Sequence, residues 1–114
     1  MSRRDDRVRL RHMLAYAREA VSLSQGRSRG DLDSDRLFNL ALVRLLEIVG
    51  EAANRIPTEV QSLYPDVPWP QLISLRNRLI HGYDAVDFDI LWQIVTLDLP
   101  PLITILEEAL PPNE

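Results

Sequence analysis

The sequence predicts an all-α fold: a bundle of four main helices with a short extra helical segment, in one domain over residues 1–114. Three observations carry this. Apolar residues recur at helical spacing in four separate stretches. No stretch alternates apolar and polar residues as a half-buried strand does. The glycines and prolines fall mainly between the periodic stretches, where they act as stops and connectors.

The first helix is expected from Arg3 to about Ser24, with Leu10, Leu14, Ala17 and Val21 along one face and Gly26 as its stop. The polar stretch "QGRSRGDLDSD" reads as a loop, with Asp33 or Ser34 capping a long second helix. That helix carries Leu37, Ala41, Leu45, Ile48 and Ala52, widened by Phe38, Leu42 and Val49. So broad a stripe implies burial on more than one side, in a bundle or a dimer. Pro57 ends this helix at about Arg55, "TEVQSLY" has room for one or two turns, and "PDVPWP" is a stiff connector. A third main helix is expected from about Trp69 to His81, with Pro70 in its first turn, Leu72, Ile73, Leu75, Leu79 and Ile80 facing inward, and Gly82 closing it. Asp87 caps the last helix, which Pro100 and Pro101 should kink or interrupt.

The composition is that of a globular chain, with 46% apolar and 26% charged residues. The absence of cysteine excludes disulfides and thiolate metal sites. No apolar run approaches the roughly 20 residues needed to span a bilayer, and "MSRRDDRVRL" has no apolar segment of a secretory signal. A cytoplasmic protein without membrane contact is expected. The net charge of −4 divides unevenly: residues 1–29 hold eight Arg against three acids, and every basic side chain in the chain is Arg. Arginine suits bidentate phosphate contacts, so the N-terminal segment is a candidate nucleic-acid contact. A solvated basic helix face explains the same residues.

The stretch "RNRLIHGYD", residues 76–84, concentrates the polar chemistry. Arg76 and His81 are five positions apart, about 140° around an α-helix, whereas Asn77 and His81 would share a face. With Gly82 breaking the helix, His81 would stand at a C-terminus, where the helix dipole favours imidazolium. A cationic histidine beside an arginine suits an anion between them, and the Tyr83 hydroxyl could bond to it. Arg and His at a helix C-terminus are also favourable on dipole grounds alone. The residues therefore leave a polar helix end and a phosphate-handling site both open. Arg78 reads as a solvated or salt-bridged arginine.

"RNRLIHGY" resembles the Arg-x4-His-x-Tyr signature of HEPN-domain toxins of the HepT-like group, encoded beside a minimal nucleotidyltransferase antitoxin. The flanking stretches "EIVGEAANRIP", "PWPQLISLRN" and "DAVDFDILWQIVTLDLPPL" are similar to the same group in the same order, over roughly residues 36–106. The resemblance implies a HEPN-like four-helix bundle that forms a homodimer and acts as a metal-independent endoribonuclease. It implies Arg76 and His81 as catalytic, Asn77 as the supporting polar residue, and Tyr83 as the tyrosine to which the partner nucleotidyltransferase adds AMP.

Metal-free RNA cleavage needs a base, an acid and a cation for the phosphorane. The chain has two histidines, and His12 reads as a solvated-face residue beside Arg11. One His81 cannot comfortably serve as acid and base together, so the chemistry calls for two protomers pooling Arg76 and His81 about a two-fold axis. Glu47 and Glu51 lie four apart, but no Glu-x-x-His companion makes them a metal site; a salt bridge from Glu51 to an arginine is the simpler expectation. Trp69 and Trp92 read as core or dimer contacts. No glycine-rich phosphate loop occurs, so no cofactor and no ATP of the chain's own is expected. Alternatives from other classes are a catalytically silent HEPN module that binds RNA or nucleotide or scaffolds the nucleotidyltransferase, and a helical dimer with no ligand.

Overall fold

The computed structural model describes the backbone of residues 3–81 and 85–110 and the side chains of residues 5–79 and 85–110. Helix α1, Arg3–Ser24, buries Leu10, Met13, Leu14, Ala17 and Ala20. It stops as expected at Gly26, whose φ of +74° is a left-handed conformation favoured by glycine. Part of the expected loop is helical: Asp31–Ser34 forms the single turn α2 and buries Leu32. That turn moves the cap of the next helix from Asp33 or Ser34 to Asp35, whose carboxylate accepts from the Phe38 N–H at 3.1 Å. The buried Asn39 ties the two helices by donating to the Leu32 carbonyl at 2.9 Å.

Helix α3, Arg36–Asn54, turns Phe38, Leu42, Leu45, Leu46, Val49 and Ala53 into the core. The expected stripe was out of phase at its start, because Leu37 is 81% exposed and Ala41 is exposed too. The phase is set by Phe38, which is buried beneath the Arg27 guanidinium, 4.2 Å from the ring centroid. After the single turn α4, Thr58–Gln61, the connector folds back beneath Trp69. The indole N–H of Trp69 donates to the carbonyls of Tyr64 at 3.0 Å and Gln61 at 3.2 Å.

The expected helix over 69–81 is divided. Helix α5, Trp69–Ile73, ends at Ser74, whose φ and ψ of −89° and 5° lie in the bridge region. The Ser74 hydroxyl donates to the Gln71 carbonyl at 3.2 Å, a local bond that competes with regular helix. Helix α6 then covers only Leu75–Leu79, with Leu75 and Leu79 buried and Ile73, at 38% exposure, outside the core. The chain next enters a short antiparallel pairing that the sequence reading lacks: β1, Ile80–His81, pairs with β2, Ala85–Val86, in the register Ile80↔Val86 and His81↔Ala85. His81 is therefore not a helix terminus. Gly82 and the side chains of Ile80 and His81 lie outside the described residues.

Asp87 caps α7, Phe88–Gln93, as expected, accepting from the Ile90 N–H at 3.1 Å. The helix then widens into a π-helical segment, Ile94–Asp98, and resumes as α8, Leu99–Ala109. Pro100 and Pro101 fall in the first turn of α8, where a missing N–H is tolerated, so the chain stays helical through them. Phe88–Ala109 is by length and composition long and apolar enough to cross a membrane, contrary to the expectation from the sequence. Its Leu91, Ile94, Val95, Leu99, Leu102 and Leu106 are nonetheless buried in the common core with α1, α3 and α6. Trp69 is buried in that core, and Trp92 is half-buried against it.

Candidate active site

The position of Arg76 follows from the packing of α5 and α6 on α3. The contact centres on Gly50, where an added Cβ would lie 2.9 Å from the Leu72 carbonyl oxygen and 3.3 Å from Leu75 Cβ. With Leu75 and Leu79 turned inward, Arg76 and Asn77 are left on the exposed side of α6. Further on, Asp89 accepts from Arg29 Nε at 2.6 Å, and Arg29 lies just before α2.

Arg76 borders an open polar depression of about 390 Å³ together with Arg44, Glu47, Gly50, Glu51, Asn54 and Ile73. Of the expected site residues, Arg76 and Asn77 are neighbours on α6, and the His81 backbone follows in β1. The His81 side chain and all of Tyr83 lie outside the described residues. Arg78 behaves as expected of a surface arginine, facing Asp98 at 3.5 Å. Glu51 does not form the expected salt bridge; among the described residues it makes no ion pair although it shares the depression with two arginines. Glu47 and Glu51 have no third carboxylate or imidazole converging on them among the described residues to make a metal-sized set.

The arginines separate into two groups. Arg18 bonds to Glu107 at 2.5 Å, Arg27 to Asp35 at 2.5 Å, Arg29 to Asp89 and Asp33 at 2.6 and 2.9 Å, and Arg9 faces Asp6 at 3.6 Å. Three of the eight arginines of the basic N-terminal segment, Arg18, Arg27 and Arg29, are therefore matched by acids from outside it, and Arg9 by Asp6 within it. Arg44, Arg55 and Arg76, by contrast, have no carboxylate partner among the described residues. Arg44 and Asn54 are the part of the site that the sequence reading missed, with Glu47 and Glu51 read only as a metal pair or a salt bridge. The signal was present in their spacing, since Arg44, Glu47, Glu51 and Asn54 recur on one face of α3. An unpaired guanidinium on an open face, beside acceptors and amides, can grip a phosphate and hydrogen-bond to sugar or base edges.

The described residues form a mostly helical domain that presents Arg76 and Asn77 on α6 just before the His81 main chain in β1. The sequence matches the ribonuclease HepT-like family over residues 13–109, and the chain belongs to that family. A Methanocaldococcus jannaschii protein carrying the name "Putative RNase" is 33% identical over 102 residues, covering 90% of this chain and 94% of the other. "Probable ribonuclease HepT" of Thermococcus cleftensis is 40% identical over 72 residues, 63% of this chain and 66% of the other. A "Putative RNase" of Caldanaerobacter subterraneus is 33% identical over 101 residues, 89% of this chain and 90% of the other. No solved structure matches the chain.

Proposed function

We propose that this chain is the toxin of a toxin–antitoxin pair: a cytoplasmic, metal-independent endoribonuclease whose active site is completed across a homodimer. The observation that carries this reading is Arg76, a motif guanidinium at the border of an open depression, without a carboxylate partner among the described residues. In the reaction, one His81 takes the proton of the ribose 2′-OH and the 2′ oxygen attacks phosphorus. The P–O5′ bond breaks as the other His81 protonates the leaving oxygen, giving a 2′,3′-cyclic phosphate and a 5′-hydroxyl. Arg76 from each protomer carries the phosphorane charge, and Asn77 orients the phosphate or the imidazole.

Support for the dimer comes from the outer face of α3. Leu37 and Leu40 are 81% and 48% exposed, and exposed Ala41 adjoins them. This apolar strip continues along the same helix to Arg44, at the edge of the site. A two-fold contact through it would bring two copies of Arg76 towards one another.

Control falls to a minimal nucleotidyltransferase partner. Its reaction joins the Tyr83 phenol oxygen to the α-phosphate of ATP with loss of pyrophosphate. The added AMP places bulk and negative charge where RNA phosphate must bind. The test is induced expression with and without the partner, together with cleavage of cellular RNA by the purified chain. Wild type should arrest growth and cut RNA, His81→Ala should do neither, and co-expression with the partner should add AMP masses that Tyr83→Phe removes. A fully toxic His81→Ala would overturn the catalytic reading, and a label persisting in Tyr83→Phe would move the control site elsewhere.

A further inference from the structure

The depression at Arg76 does not end at Glu51. That residue also borders a second opening, of about 420 Å³, between α1 and α3, which Arg55, His12 and Tyr16 help to line. The two openings meet at Glu51, with Arg44 and Arg76 bordering the first and Arg55 the second, and none of these three arginines has a carboxylate partner among the described residues. From Arg44 to Arg55 the helix rises about 16 Å, room for roughly four or five nucleotides at about 3.4 Å each when stacked.

The side chains along these openings differ in kind in the way a single strand requires. Arg55, exposed at the end of α3, offers a guanidinium to the backbone. His12 and Tyr16 stand four apart on one face of α1. Tyr16 is half-buried and packed against the core, which fixes its ring, while His12 is exposed. An anchored aromatic in the same opening as the Arg55 guanidinium is a stacking platform beside a phosphate contact. Glu51, where the openings meet, accepts hydrogen bonds from base amino groups or a 2′-OH, and its charge excludes a phosphate there.

We propose that the α1–α3 groove is a substrate-positioning track for single-stranded RNA. In it Arg55 holds a phosphate several nucleotides from the scissile bond, and Tyr16, flanked by His12, stacks a base. This rests on the ribonuclease reading above and adds to it which substrates are favoured: strands long enough to reach from Arg76 to Arg55. A duplex is excluded, because its bases are not free to stack on a side chain.

The test compares a tetranucleotide with a dodecanucleotide of the same sequence. Binding is measured by fluorescence anisotropy on 2′-O-methyl strands, which cannot be cut, and cleavage on native strands. Arg55→Ala and Tyr16→Leu, each verified by thermal denaturation as folded, are set beside Arg18→Ala, which removes the same charge at the Glu107 pair. Wild type should prefer the long strand. Arg55→Ala should remove most of that preference and reduce the salt dependence of binding, the log–log slope falling by about 0.7. Tyr16→Leu should weaken the long strand by roughly tenfold, and Arg18→Ala should leave it unchanged. If the native strand is cut but both track variants hold it as wild type does, the track is wrong and the ribonuclease reading stands. If the long strand is held through Arg55 and Tyr16 yet is never cut, the track stands and the ribonuclease reading falls. Equal displacement of RNA by polyglutamate would overturn the assignment of the groove to a polynucleotide.

Discussion

Asp87 reaches back to Leu79: its main-chain N–H donates to the Leu79 carbonyl at 2.7 Å while its carboxylate accepts from the Ile90 N–H at 3.1 Å. One residue thus closes the end of α6 and opens α7, and the His81 main chain lies in β1 between them. Asp87→Ala deletes the cap but keeps the N–H, and should cost about 1 kcal/mol, a fall in Tm of roughly 4–8 °C. Asp87→Asn retains a capping oxygen and should stay near wild type. Thermal denaturation of the two variants decides; equal Tm values for both would show that the cap contributes nothing.

Gly50 faces a choice between two opposed effects. Within a helix, glycine is worse than alanine by about 1 kcal/mol, so Gly50→Ala alone would stabilise α3. The new methyl, however, would meet the Leu72 carbonyl oxygen at 2.9 Å, a backbone atom that cannot rotate away. Overpacking of this kind costs about 1–3 kcal/mol, so the net effect should be destabilising. Because α6 carries Arg76, RNA cleavage should fall further than the loss of folded protein explains. A Gly50→Ala variant with raised Tm and full activity would show that α5 and α6 shift without consequence.

The long helices were legible because burial on one side leaves a 3.6-residue period, and because Gly26 and Asp87 have a conformational or capping reason for their places. The division at Ser74 was hidden, since Leu72, Leu75 and Leu79 keep helical spacing straight through it. The break is marked by the Ser74 hydroxyl bond to the Gln71 carbonyl, which an isolated serine in the sequence does not announce. In α3, Leu37 and Ala41 are as apolar as the true core positions, so only the docking of Phe38 sets the phase. Arg76 could be singled out from its motif. Glu47 and Glu51 could be noticed by their spacing, but their meeting with Arg76 and Arg44 could not, because α3 lies about thirty positions earlier and shares no local pattern with α6.

Asp35 should make the start of α3 acid-sensitive. The Arg27 guanidinium hydrogen-bonded to it, and then the Phe38 N–H, hold its carboxyl below the ordinary carboxylate value. A depressed folded pKa means stabilisation that is present above the unfolded-state pKa, about 3.9, and lost as pH falls through the lower folded value. Wild type should therefore lose more stability than Asp35→Asn between neutral pH and the acid side of that range. Urea denaturation of both proteins across this window provides the comparison, and parallel curves would show that the Arg27–Asp35 pair adds nothing to folding.

The proposed sharing of the site between two protomers can be measured in solution. If each phosphate is cut between two His81 side chains, a dimer with one wild-type and one His81→Ala subunit is inactive by on the order of 10²–10⁴. Co-refolding the two chains in varied proportion should then give activity that falls as the square of the wild-type fraction. Independent sites would give a straight line, because every wild-type subunit would work whatever its neighbour. Arg76→Ala mixed in the same way tests the cation: a guanidinium needed from both sides again gives the square, with a loss on the order of 10²–10³ per mixed dimer. Leu37→Glu, on the exposed strip of α3, should convert the dimer to monomer in sedimentation and remove cleavage together with it. A linear mixing curve, or a fully active monomeric Leu37→Glu, would confine the chemistry to a single chain.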